Sequence, residues 1–302
     1  MSLAVALLAL LIFLAPDPVG AAEVAILQSA DLAAYNQAVT GFKAAMPPSM
    51  TVVEYDMQGD LARGRKLARK IRGGGAALVL AVGFKAALAT TLELPDIPVI
   101  FCMVLDSDQH SLTAPNLTGV SMAVPLDRQL TTIQMALPGR TRLGLLYDPE
   151  KNGSLVEEAR VLAKSMGLDL IARPTRKEKD VPGTLRALLQ QVEALWLVPD
   201  STVLTEDSLK FVMGAALDAN VPVIGFSSEL ARNGALIGLS VRYEGAGRQA
   251  GLLARKILLD QYRPDSASMP PHQFRLALNL KTAKFLGITL PPEVVRHADE
   301  LY

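Results

Sequence analysis

Residues 221–251 read VPVIGFSSELARNGALIGLSVRYEGAGRQAG. Positions 221–226 form a short apolar run of the kind a buried strand needs, Asn233-Gly234 is a helix stop and turn, and positions 235–239 are a second apolar run. From Glu244 onward Ala246, Ala250, Leu253, Ala254, Ile257 and Leu258 recur near a 3.6-residue period, which predicts an amphipathic helix. Strand, crossover, strand and helix follow one another without a long loop, and that order points to an α/β architecture.

The same alternation begins at Glu23. A strand at 24–27 precedes a helix for which Asp31 is a candidate cap, with Leu32, Tyr35, Val39, Phe42 and Met46 on one face and Pro47-Pro48 as its stop. Next come a strand at 51–55, a helix capped by Asp60 and running through Ile71, a Gly73-Gly74-Gly75 turn, and fully apolar strands at 77–82 and 99–104. Continuous apolar runs are what a parallel sheet covered on both faces requires. The order resumes after Asn116, with strands at 143–147, 168–172, 194–198 and 221–226 and helices near 154–166, 184–192 and 205–219. Two doubly wound α/β units are expected, dividing near 118–122 and joined by crossing strands rather than by a flexible tether.

Composition narrows the function. Residues 2–14 are almost wholly apolar, Pro16 and Pro18 break the run, and Val19-Gly20-Ala21-Ala22 supplies the small residues a signal peptidase needs. The run is too short to span the roughly 30 Å of a bilayer core, so a signal peptide cleaved near Ala21 or Ala22 is expected, although no Lys or Arg precedes Glu23. An uncleaved membrane anchor is the alternative. The remaining ~280 residues exceed what one core usually supports. Lys+Arg and Asp+Glu number 30 each, which lacks the basic footprint of a nucleic-acid partner. Cys102 is the single cysteine; it excludes an internal disulfide and, within the apolar run 99–105, reads as a buried small hydrophobe rather than a nucleophile.

In open parallel sheets a ligand sits at the carboxyl ends of the strands, where helix N-termini offer N–H groups and a positive dipole end. The first unit delivers Gln28-Ser29, Gly83-Phe84 and Leu105-Asp106 there, and the second delivers Asp148, Asp200-Ser201-Thr202 and Phe226-Ser227-Ser228. Any one of these could be only a helix cap or turn residue. Together they outline two rims that can close on a small molecule. The candidate ligand contacts are Ser29, Phe84 and Asp106 from the first rim and Asp200, Thr202, Ser227 and Ser228 from the second. Phe84 would face a ring or alkyl chain, the hydroxyls and helix N–H groups a carboxylate, and Asp106 or Asp200 an ammonium.

Several further pieces share one order along the chain: NLTGVS at 116–121, LPGRTRLGLLYDP at 137–149, the Asp200-Ser201-Thr202 strand end, Asn233-Gly234-Ala235 with GRQAG at 247–251, and NLKTAK at 279–284 with LGITLPP at 286–292. In that order the chain resembles bacterial ABC-transporter substrate-binding proteins of the tryptophan/tyrosine-binding type, over most of its mature length. The resemblance implies a type I periplasmic-binding fold, two α/β lobes with three interdomain crossings and a ligand cleft between them. The lobes would comprise residues 23–120 plus 241–265 and residues 121–240 plus 266–302. It further implies a periplasmic monomer that hands a small organic solute, an amino acid or related compound, to a membrane permease. A periplasmic sensing module of the same fold, feeding a signalling protein, is the second expectation. The chain departs from the family's pattern at Gly83-Phe84-Lys85-Ala86, where a G-T-P-A turn is usual, and at Ser227-Ser228, where an acidic pair is usual. With Arg242 standing before Tyr243, lost carboxylates and gained Lys85 and Arg242 would favour a ligand of more negative character.

Enzyme readings are weaker. Residues 245–250, GAGRQA, match the dinucleotide fingerprint G-x-G-x-x-A, but they lie in the wrong unit, far from a first βα turn. Gly225-Phe226-Ser227-Ser228-Glu229 breaks the nucleophile-elbow pattern at its last position. His110, His272 and His297 are scattered, and the Asp106, Asp108 and His110 alternation is commoner in polar loops than in metal sites. No catalytic residue, cofactor or metal is expected.

Overall fold

The computed structural model describes residues 23–104, 112–264 and 268–302. The expected signal peptide, Asp106 and the 106–110 string lie outside the described residues.

The first half of the chain runs β1 (Glu23–Gln28), α1 (Ala33–Ala45), β2 (Thr51–Asp56), α2 (Leu61–Gly74), β3 (Leu78–Val82), α3 (Phe84–Glu93), β4 (Val99–Val104) and β5 (Leu117–Ser121). There follow α4 (Leu126–Ala136), β6 (Arg142–Tyr147), α5 (Pro149–Ser165), β7 (Asp169–Pro174), a 3-10 turn (Glu178–Asp180), α6 (Val181–Leu189), β8 (Ala194–Trp196), α7 (Glu206–Asp218), β9 (Val223–Gly225), α8 (Ser228–Arg232) and β10 (Ile237–Val241). The chain ends with α9 (Tyr243–Leu258), β11 (Ser268–Met269), β12 (Phe274–Leu278), α10 (Leu280–Phe285), α11 (Pro292–Arg296) and β13 (Glu300–Leu301).

These strands make two sheets, ordered β11-β5-β4-β3-β1-β2 and β13-β12-β10-β9-β8-β6-β7. Every described pairing is parallel except β10 with β12. The apolar runs are buried on both faces. Along β3, Leu78, Leu80 and Val82 enter one core while Val79 and Ala81 enter another, and Val24 and Ile26 divide from Ala25 and Leu27 in the same way on β1. In the second sheet Ala194, Trp196 and Val198 face one core and Leu195 and Leu197 the other. This double-faced burial is the doubly wound α/β arrangement expected from the sequence.

Helix boundaries follow local chemistry. Asp60 caps α2 by accepting the Ala62 N–H at 2.8 Å, and Gly75 ends it in the left-handed region at φ 75°. Asp31 does not cap α1: Leu32 holds that position, and the Asp31 carboxylate accepts from Asn36 Nδ2 at 2.7 Å instead. Helix α5 begins at Pro149, five residues before its expected start, because Asp148 caps it and Pro149 fits the first turn. Helix α4, which the sequence reading passes over, carries Leu130, Ile133 and Ala136 into the core.

Helix α9, late in the chain, packs along α1 and against β4. Their contact is backbone to backbone. A methyl group at Gly247 would lie 1.8 Å from Ala38 O, and one at Gly41 would lie 2.0 Å from Glu244 O. The G-x-G-x-x-A string is therefore a helix-packing seam, and its small residues are required by α1 rather than by a dinucleotide.

The crossings orient everything else. Strand β5 leaves the first sheet at its carboxyl end and reaches α4 through residues 122–125, a span of at most about 14 Å. Strand β10 leaves the second sheet at its carboxyl end and enters α9 through Arg242 alone. Strand β11 pairs with the carboxyl end of β5, just past the crossing expected at residue 266, and the chain then passes through residues 270–273 into β12 of the second sheet. All three passages start or end at carboxyl edges, so the carboxyl edges of both sheets meet at the junction. Arg242 and Gln249 bind the later passages together. Arg242 donates from Nε to Phe274 O at 3.0 Å and pairs with Asp299, while Gln249 donates to Pro270 O at 2.9 Å and accepts from the His272 N–H at 2.9 Å.

Candidate functional site

On the first carboxyl edge, Ser29 follows β1 and its hydroxyl accepts the Ala86 N–H at 2.9 Å. That bond replaces the cap Gly83 cannot supply, since glycine precedes α3 without a side chain. Gly83 has φ 88°, and a methyl there would lie 2.6 Å from Tyr35 Oη and 2.7 Å from Ser29 Oγ. Two hydroxyls thus converge over the N-terminus of α3, where the helix dipole favours a negative group. Phe84 opens the same helix and is half-buried beside the adjoining apolar core. Tyr35 reads from sequence as one residue of an apolar helix face, and its hydroxyl joins this cluster unannounced. Burial, with a smaller contribution from Cys102, raises its pKa above the ordinary phenol value. Cys102 itself is fully buried, and desolvation pushes its thiol up to about 12, so it is inert at neutral pH.

The second edge is built differently. Asp200 is 6% exposed, and both of its carboxylate oxygens are occupied. Oδ2 accepts from the Asp148 N–H at 2.7 Å and from Asn152 Nδ2 at 2.8 Å; Oδ1 accepts from the N–H groups of Thr202 and Val203 at 2.9 and 3.1 Å. The carboxylate expected to meet a ligand ammonium is instead a fastener between the ends of β6 and β8. Thr202 donates its hydroxyl to Asp148 Oδ2 at 2.6 Å and accepts from Lys151 Nζ at 2.7 Å, and Lys151 also donates to Ser201 Oγ at 2.6 Å. The Thr202 bond first, then the Glu150 N–H and the nearby Lys151 and Arg176, hold the Asp148 carboxyl below its ordinary range despite burial. The sequence does not single out Lys151, because it precedes the helix expected near 154–166 and a lysine there reads as a solvated residue.

Ser227 accepts the Leu230 N–H at 3.2 Å as the cap of α8. The Ser228 hydroxyl is buried beside the Glu300 carboxylate of β13, which Tyr302 chiefly, and Ser228 to a lesser degree, hold below its ordinary range. The structure therefore brings Ser29 and Phe84 together on one rim and Asp200 and Thr202 on the other, and turns Ser228 toward β13. Lys85 donates to Gly59 O at 2.6 Å, and Arg242 is engaged by the crossings, so neither of these cations supplies the rim charge expected from sequence.

The family model described as ABC transporter substrate binding protein matches residues 23–302. A tyrosine-binding protein of Clostridioides difficile is 23% identical over 239 residues, which is 76% of this chain and 69% of that protein. Among solved structures, the ligand-free, open form of a substrate binding protein with adhesive properties from Clostridium difficile superposes with a TM-score of 0.78 at 21% identity, covering 92% of this chain and 98% of the other. An ABC domain from Streptococcus pneumonia in complex with L-Trp gives 0.64 at 20% identity, covering 93% and 99%.

Proposed function

Because the chain belongs to the ABC transporter substrate-binding protein family, we propose that it captures a small organic solute between its two lobes and delivers it to the membrane permease of an ABC importer. The solute is an amino acid or a related compound carrying a carboxylate. The protein works as an exported monomer in the periplasm, with its leader removed near Ala21 or Ala22. The first lobe comprises the β1–β5 sheet with α9, and the second the β6–β10 sheet with β12 and β13.

The observation that carries this reading is the meeting of both carboxyl edges at the junction, which follows from the three short crossings. One rim offers an aromatic face, Phe84, beside the hydroxyls of Ser29 and Tyr35. The other offers Thr202 and the Lys151 ammonium, with Asp200 holding the Thr202 backbone in place. A carboxylate fits the helix N-terminus or Lys151, and a ring or alkyl chain fits Phe84. The relatives named for tyrosine and for L-Trp support an aromatic amino acid as the first solute to try.

The test is mass spectrometry of the small molecule released when purified protein is gently unfolded, followed by calorimetry with that molecule, with tyrosine and with tryptophan. Saturable binding of one solute per chain is expected, and Phe84→Ala should weaken it about tenfold through the lost ring contact. Absence of binding by any amino acid or co-purifying carboxylate would overturn the reading.

A further inference from the structure

At the outer edge of the second sheet β7 ends in Pro174, and residues 175–180 turn across the carboxyl ends of β6 and β7 before α6 begins. The backbone N–H of Thr175 donates to Tyr147 O at 2.8 Å, which draws this residue inward. Thr175 is 2% exposed, and its hydroxyl has no hydrogen-bond partner. A buried hydroxyl without a partner opposes folding, and native structures rarely keep one unless something else meets it. Thr175 is one of the residues lining a depression of about 510 Å³, together with Arg176, Lys177, Lys179, Asp180 and Thr184.

On the turn around that depression cations outnumber carboxylates. Among the described residues none of Arg176, Lys177 and Lys179 forms an ion pair. The same turn carries two acids, Glu178, which accepts from the Thr205 hydroxyl, and Asp180, so three cations stand against two carboxylates. Asp180 also precedes α6 without giving it a side-chain cap, so the positive end of a nine-residue helix borders the same space. Arg176 stands near enough to Asp148 to help hold its carboxyl low, and Asp148 accepts the Thr202 hydroxyl of the second rim.

We propose that this depression is an oxyanion-binding site in which the Thr175 hydroxyl donates to a phosphate or carboxylate held by Arg176, Lys177 and Lys179. The oxyanion is either free or the acidic end of the solute in the cleft. Only the second source rests on the function proposed above. Hydroxyl, guanidinium and ammonium groups are the donors such an anion requires, and the hydroxyl is the one that discriminates a fitted anion from a diffuse counterion.

The probe is inorganic phosphate, titrated into the full chain at constant ionic strength with chloride as control and followed by calorimetry and thermal melting. Saturable binding is expected in the wild type. Thr175→Val should weaken it at least tenfold without lowering the anion-free melting temperature, because the replacement removes an unpartnered buried hydroxyl at nearly constant volume. Lys177→Gln combined with Lys179→Gln should weaken it further. Repeating the titration with the cleft solute bound separates the sources: unchanged phosphate affinity identifies a free anion, and competition identifies an acidic arm of the solute. Phe84→Ala should leave phosphate binding unchanged while weakening the cleft solute, so either reading can fail alone. Stabilisation no greater than that from chloride, or equal phosphate affinity in Thr175→Val, would overturn the proposal.

Discussion

The two rims of the junction solve the same problem in opposite ways. On the first, a single serine borrowed from a neighbouring strand caps α3, and its hydroxyl, Tyr35 and the helix N-terminus stay gathered around one glycine. On the second, four donors converge on one buried carboxylate, and the side chains around it are linked into a chain from Lys151 through Thr202 to Asp148. The first rim is a few polar atoms on an apolar wall; the second is a fastened network whose outermost group is a cation. An acidic residue at a strand end is thus a poor guide to ligand contact, because a buried carboxylate is stable only when its oxygens are fully used.

The largest expected effect contrasts the two anchors. Asp200→Ala should lower folding stability by about 3 kcal/mol, since it strips four N–H donors of a charged acceptor, whereas Ser29→Ala removes one cap and should cost about 1 kcal/mol. Urea unfolding of both variants decides this. Equal losses would erase the distinction between a fastened rim and a capped one.

A smaller effect isolates the cation. Lys151→Met keeps much of the side-chain length while removing the charge, and it should weaken a carboxylate-bearing solute about fivefold with less than about 0.5 kcal/mol lost in stability. The affinity change should shrink at high salt. Unchanged affinity at low salt would place the solute carboxylate on the first rim, at the N-terminus of α3.

The smallest effect is a difference in pH response. Asp148 has a folded pKa depressed below its ordinary value of 3.8. Its contribution to stability is therefore complete above that value and is lost as the pH falls below it through the depressed folded value. The raised phenol of Tyr35 stays neutral throughout that range and adds no acid sensitivity to the first rim. Hydrogen exchange followed from pH 4 downward should show the ends of β6 and β8 opening before the β1–α3 turn. Simultaneous loss of protection at both rims would show that the network on the second edge is not what acid releases.

Much of this was legible in the amino-acid order. Apolar runs without polar interruption announced strands buried on both faces, and the small-residue pattern from Gly245 to Gly251 announced a helix start, although its reason lay in α1, some 200 residues earlier. Strand ends located the junction because parallel sheets put ligands there. The sequence could not show which polar side chains were already satisfied. Asp200 and Ser228 look alike as strand-end residues, yet one holds four donors and the other lies against β13. Nor does spacing reveal Lys151, whose role depends on two hydroxyls fifty positions away. Arg242 read as rim charge because its partners, Phe274 and Asp299, come from the last strands.

The seam between α1 and α9 also sets a timetable. Residues 33–45 emerge early in synthesis, but the helix that covers Ala38 and Phe42 is not made until residue 258, and no other element packs as extensively on α1. A core closed by so distant a partner forms late, since a long loop must be ordered before its contacts repay it. The face of α1 that carries Ala38 and Phe42 consequently lacks its cover until nearly the whole chain exists. If the chain is exported as proposed, that delay favours threading through the membrane over premature folding.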